Sequence, residues 1–193
     1  MAALNINSLV AHIDELRVFM SSSEIDILAI NETKLNCSVE NNEIHLQGFD
    51  IVRKDRITNG RNGGGVCIYV RDNLIYIIRD DLSPDSLECL IIEITNSHSK
   101  PQIHWRVNLL ISNTLLPSRE LFLLGDVNVG LLPEVEAPSA RKLKDIFDVY
   151  GLHKLIAEPT RVTQFSQTLI DLCITNSPLR IVKSGVVQLS ISD

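Results

Sequence analysis

The chain has 193 residues, of which 45% are hydrophobic and 22% charged, a composition that supports one well-packed domain and leaves little room for two. Its formal net charge of -6 excludes a surface that is polyanion-binding all over. A nucleic-acid partner would therefore need a local basic patch, or metal ions that offset an acidic site.

The opening "AALNIN" reads as a short strand running into Asn7 and Ser8, with Ser8 as N-cap of the segment that follows. Leu9, Ile13, Leu16, Phe19 and Met20 recur at helical spacing and predict an amphipathic helix that ends in "SSS". "IDILAI" (25–30) is a continuous apolar strand that delivers Asn31, Glu32 and Thr33 at its C-terminal end. "FDIV" (49–52) predicts another strand, followed by the charged loop "RKDRITNGRNGGG". "VCIYV" and "IYII" look like a hairpin around Arg71, Asp72 and Asn73, and "CLIIEI" (89–94) like a further strand.

In residues 96–119, "VNLLI" is a candidate strand and "LLPSRE" a candidate turn. "LFLLGDVNVG" (121–130) begins as a buried strand and ends on Asp126 and Asn128. "SARKLKDIFDVYGL" places Leu143, Ile146, Phe147 and Tyr150 on one helix face, with Gly151 as a C-terminal stop. "TLIDLCIT" (168–175) predicts a buried strand with Asp171 in its middle, and "VVQLSISD" a closing strand ending on Asp193.

The four cysteines, Cys37, Cys67, Cys89 and Cys173, form no C-x-x-C pair, so a reduced intracellular protein without zinc is expected. The N-terminus lacks a basic leader followed by a long apolar run, and no window reaches the ~18 apolar residues of a membrane span. Neither a signal peptide nor a membrane partner is expected.

One pattern recurs through these elements. Asn5, Glu32, Asp126 with Asn128, Asp171 and Asp193 lie at the end of, or inside, apolar strands. A carboxylate there is costly unless it meets a cation or hydrogen-bond donors. Any one of them alone is more simply a turn former or a cap. Together, hard oxygen ligands and amides suit a hydrated magnesium ion (manganese being the alternative) better than zinc. Glu32 with Asp193 or Asp126 would be sufficient ligands, and Asp126 beside Asn128 would orient or deprotonate a water. The histidines, His12, His45, His98, His104 and His153, fall on helix faces or loops.

The order of motifs resembles the endonuclease/exonuclease/phosphatase superfamily, and within it the apurinic-type endonuclease domain of non-LTR (LINE-type) retrotransposons. The matching pieces are "LNINSL", "ILAINETKL", "RNGGGVCIYVRD", "LLGDVNV", "TRVTQFSQTLIDLCITN" and "SISD", which run in the family's order from end to end. The resemblance implies an α/β, four-layer α-β-β-α sandwich of two mixed sheets, DNase I-like, with the site at one edge. It also implies magnesium-dependent nicking of DNA that leaves a 3′-hydroxyl, with a reverse transcriptase as partner in the parent element and a nuclear location.

Carried over by position, Asn5 resembles the active-site asparagine and Glu32 the principal metal-binding carboxylate. Asp126 and Asn128 resemble the water-positioning aspartate and its phosphate-binding partner, while Asp171 and Asp193 match the two later aspartates. Asn7, Thr163 and Ser166 fall at substrate-contacting positions, and Arg53, Arg56 and Arg61 could meet DNA phosphates. Three departures stand out. The chain stops at Asp193, where relatives continue with a histidine and another strand. "IHWRVNLLISNTLLPSRE" lacks the family's tyrosine, and Val127 replaces a frequent phenylalanine. These departures imply a domain incomplete at its C-terminal edge and weakly active or inactive. The alternatives are then a catalytically inactive truncated relic or a DNA-binding or interaction module, or a phosphatase of the same superfamily.

Overall fold

The computed structural model describes residues 1–56, 63–83, 88–95, 120–126, 138–162, 167–169 and 171–187. The strands are β1 (Ala2–Asn5), β2 (Ile27–Asn31), β3 (Phe49–Lys54), β4 (Val66–Arg71), β5 (Tyr76–Ile78), β6 (Ile92–Ile94), β7 (Phe122–Asp126), β8 (His153–Lys154), β9 (Arg161–Val162), β10 (Gln167–Thr168) and β11 (Asp171–Thr175). The two α-helices are α1 (Ile13–Ser21) and α2 (Pro138–Val149).

The first sheet has the order β1-β2-β4-β3, with β1 and β2 parallel and the other neighbours antiparallel. A second sheet runs β7-β11-β8, and β5-β6 and β9-β10 form ladders of their own. Side-chain alternation shows how the layers stack. In β2, Leu28 and Ile30 join a core with Leu16 and Met20 of α1, while Ile27 and Ala29 join a core with Ile92, Phe122 and Leu124. In β7, Leu123 turns the other way, into a third core with Leu143 and Phe147 of α2. The layers are therefore α1, first sheet, second sheet, α2. This is the expected α-β-β-α sandwich. The first sheet is mixed, and the described strands of the second are antiparallel. β2, β4, β7 and β11 are buried on both faces, which explains their nearly continuous apolar runs.

The α2 segment folds as its pattern predicts. Ala140, Leu143 and Phe147 are buried, with Ile146 and Tyr150 packed against the same core. Gly151 has φ +59°, and the amides of Gly151 and Leu152 donate to the carbonyls of Asp148 and Phe147, closing the helix in a Schellman motif.

Four local expectations need correction. Ser8 is not the cap of α1: a 3-10 turn (Val10–His12) intervenes, and α1 starts at Ile13 with no side-chain cap. The amides of Ile6, Ser8 and Leu9 donate to the carbonyls of Asn31, Glu32 and Thr33, so the chain stays pinned to the segment after β2 and the helix starts late. β4 and β5 do not make a hairpin. The chain does turn after Arg71, but both edges of β4 are already paired, with β2 and β3, and β5 pairs with β6 instead.

The 89–94 strand contracts to Ile92–Ile94, with Cys89 to Ile91 buried outside the ladder. The 168–175 run divides into β10 and β11, so Asp171 opens a strand rather than sitting mid-strand. Thr160 ties the break: its amide donates to the Thr168 carbonyl and its Oγ1 accepts from the Asp171 amide. The candidate strand "VNLLI", residues 115–119 of the turn "LLPSRE" and residues 188–193 of the closing strand lie outside the described residues.

Candidate active site at the sheet ends

Strand direction and register bring the polar residues to one edge. β1 and β2 run parallel and pair Asn5 with Asn31, so both end at the same level. β4 runs back from there, placing the Gly63–Gly65 turn beside Asn31, and β3 arrives with Lys54 opposite Val66. In the facing sheet, β7 ends at Asp126 and antiparallel β11 begins at Asp171, and these two are register partners. β1 and β2 both lie against β7.

Parity then sets the faces. Ala2 and Leu4 pack toward α1, which turns Asn5 to the inter-sheet side. Asn31 continues the inward parity of Ile27 and Ala29, and Asp171 that of Cys173. Asn5, Asn31 and Asp171 thus share the space between the sheets at one end of the sandwich, where the backbone of β7 also ends. Nothing local in the sequence required this. It follows from the register of two sheets.

The backbone at this edge is unusual. Asn7, Ser8, Glu32 and Lys34 are the non-glycine residues with positive φ among those described, and all four lie in the segments that leave β1 and β2. Strain gathered in one place is a signature of functional sites. Lys34 Nζ donates to Asn7 Oδ1 at 2.5 Å. The two segments are also joined through the main chain, and the Thr33 and Lys34 amides donate to the carbonyls of Gly65 and Gly64.

Glu32 is held from the glycine turn: the Gly64 amide donates to its Oε2 at 2.6 Å. Asn31 Nδ2 is buried and has no hydrogen-bond partner among the described residues. A buried amide left unpaired costs about 1–3 kcal/mol, so a site that retains one has a donor to offer.

Arg53 and Arg56 are both engaged. Arg53 donates to the carbonyls of Asn36 and Val39, to Asn41 Oδ1 and to Asp55, and so clamps the 36–41 loop onto β3. Arg56 pairs with Glu88 through Nε and Nη2. That hydrogen bond, with the nearby charges of Glu88 and Glu32, raises its pKa. Asn128, Asp193, Arg61, Thr163 and Ser166 lie outside the described residues, and Asp126 is described by its backbone alone.

Glu88, Asn31, Lys34 and the glycine turn were not among the residues the strand-end pattern selected. Glu88 carries the same signal in mirror image, a carboxylate at the start of an apolar run, and the run's direction brings that start to the site edge.

A divalent ion fits this chemistry. Among the described residues the edge supplies carboxylate and amide oxygens, and magnesium takes only one or two carboxylates beside its waters. Among the described residues no group of three or more His, Cys, Asp or Glu gathers as a full ligand cage, and a hydrated ion does not require one.

The endonuclease/exonuclease/phosphatase family model matches residues 2–193. The chain belongs to this family. Solved structures agree on the fold. The endonuclease domain of TRAS1, a telomere-specific non-LTR retrotransposon, superposes with a TM-score of 0.66 at 15% identity, covering 91% of this chain and 84% of that one. The AP endonuclease LMAP of Leishmania major gives 0.70 at 13% identity, covering 92% and 78%. The 3′-5′ exonuclease NExo of Neisseria meningitidis gives 0.65 at 18%, covering 92% and 86%. No curated protein matches the chain in sequence. Among the described residues no helix is long and apolar enough to cross a membrane.

Proposed function

We propose that this single domain is a magnesium-dependent endonuclease of retroelement type that hydrolyses a DNA phosphodiester. The observation that carries the reading is the convergence of Asn5, Asn31, Glu32, Asp126 and Asp171 at one end of the sandwich through strand register. The fold is shared with enzymes whose names describe endonucleases and a 3′-5′ exonuclease, and it includes a retrotransposon domain.

In this reading Glu32, with Asp193, holds the ion, and manganese would serve in magnesium's place. When bound, the ion supplies Lewis-acid stabilisation of the charge that builds on the phosphate. Asp126, whose backbone pairs with Asp171 in the β7–β11 ladder, takes a proton from the attacking water in this reading. Asn5 and Asn128 donate to phosphate oxygens without adding negative charge.

Asn7, Arg56, Arg61, Thr163 and Ser166 are assigned in this reading to contacts with the DNA. Arg53 serves it indirectly, through the loop it clamps. A DNA substrate, a reverse transcriptase in the parent polypeptide and a nuclear place of action all belong to this reading.

Nicking of supercoiled plasmid by the purified chain tests it. Activity that needs magnesium, is lost with EDTA and falls by about 10²-fold or more in Asp126→Ala and Glu32→Gln supports the endonuclease. Folded protein with no magnesium-dependent nicking would leave an inactive binding or interaction module.

A further inference from the structure

Glu88 takes no part in that chemistry, yet it is tied to the site's principal carboxylate. The turn Gly63–Gly65 runs between the two. The Gly64 amide donates to Glu32 Oε2 at 2.6 Å, and the next amide, of Gly65, donates to Glu88 Oε2 at 3.2 Å. Consecutive amides of a turn with positive φ form an anion-binding concavity, and here each amide serves a different carboxylate.

Arg56 lies on this turn. A Cβ built on Gly64 would stand 2.1 Å from Arg56 Cζ, so the guanidinium occupies the space a side chain would need. Its Nη2 donates to Glu88 Oε2 at 2.7 Å and its Nε to the other oxygen, the bidentate geometry that arginine favours. Arg56 makes no hydrogen bond to Glu32, although the two are close enough for their charges to interact.

A guanidinium beside a metal-binding carboxylate is a rival for the same oxygens. We propose that Glu88 is a positioning residue: by engaging both donors of Arg56 it keeps that cation off Glu32, which the glycine turn orients and leaves open to a divalent ion. This rests on the reading of Glu32 as a metal-binding carboxylate. It assigns Arg56 to a neutral pair at rest rather than to a free positive charge.

Manganese binding by calorimetry on the full chain, without DNA, reads the effect directly. Glu88→Gln keeps an acceptor for the Gly65 amide but loses the charge that holds Arg56. Its manganese affinity should fall by about 10-fold or more, in the range for residues that support metal ligands. The double variant Arg56→Gln/Glu88→Gln removes the rival cation and should return affinity to near that of the parent. Arg56→Gln alone should match or exceed the parent.

Unchanged affinity in Glu88→Gln would overturn the proposal, as would a double variant as weak as Glu88→Gln. A loss in Arg56→Gln alone would do the same even if Glu88→Gln failed to fold. The underlying metal reading fails separately: if Glu32→Gln leaves manganese binding intact, the ion is held elsewhere and the role of Glu88 falls with it.

Discussion

Asn31 ends β2 with its Nδ2 buried and without a hydrogen-bond partner among the described residues, on the face that β2 otherwise lines with Ile27 and Ala29. An apolar side chain of similar size would satisfy that environment better. Asn31→Leu should therefore hold or raise stability, by on the order of 1 kcal/mol in urea denaturation, since it removes an unpaired buried donor. The same change should lower plasmid nicking, because the donor it removes faces the space shared with Asn5 and Asp171. A variant that loses stability as well as activity would mean that Asn31 is a structural residue. Stability and activity moving in opposite directions is the expected trade at a site that stores strain.

At the scale of elements, what matters is how each segment is stopped and aimed. α2 ends because Gly151 adopts φ +59° and lets two amides turn back onto the last helical carbonyls. A Cβ there would meet nothing within 4 Å, so any cost of Gly151→Ala is conformational rather than steric. We expect a loss of about 1–2 kcal/mol, the left-handed penalty for an L-residue, as a lowered urea midpoint with an unchanged m-value. α1 shows the opposite case. Ser8 does not mark its start because the pinning of residues 6–9 to the segment after β2 is a tertiary contact that no local cap signal reveals. The β4–β5 hairpin failed for a related reason: two adjacent strands with a turn between them pair only when an edge is free.

Across the whole molecule, two of the three cores bury groups that ionise at alkaline pH. Burial raises the pKa of the Cys67 thiol and the Tyr69 phenol well above their usual values and pushes Cys173 up to about 11. Raised acid pKa values mean that the folded chain keeps protons the unfolded chain has lost. Stability is then fully present below the unfolded thiol pKa of ~8.5 and declines as pH rises beyond it toward the folded values. Urea midpoints should fall between pH 8.5 and 11, and Cys67→Ala, though less stable at neutral pH, should show a shallower fall. An equal slope in the variant would place the alkaline sensitivity elsewhere.

The sequence by itself determined the family, through six short motifs in order, and the residue types at the strand ends. It also determined α2 with its glycine stop and the two-faced burial of β2, β4, β7 and β11. Those features are local, because periodicity and turn chemistry are written within a few residues. Tertiary structure decided which strand ends meet, since Asn5, Asn31 and Asp171 converge only when two sheets adopt one register and face each other. It also decided what the charged loop does: Arg53 and Arg56 read as a basic patch, and folding commits them to Asp55 and Glu88. Glu88 lies 32 residues from Arg56 along the chain. Only pairing across that distance could decide which carboxylate Arg56 would neutralise.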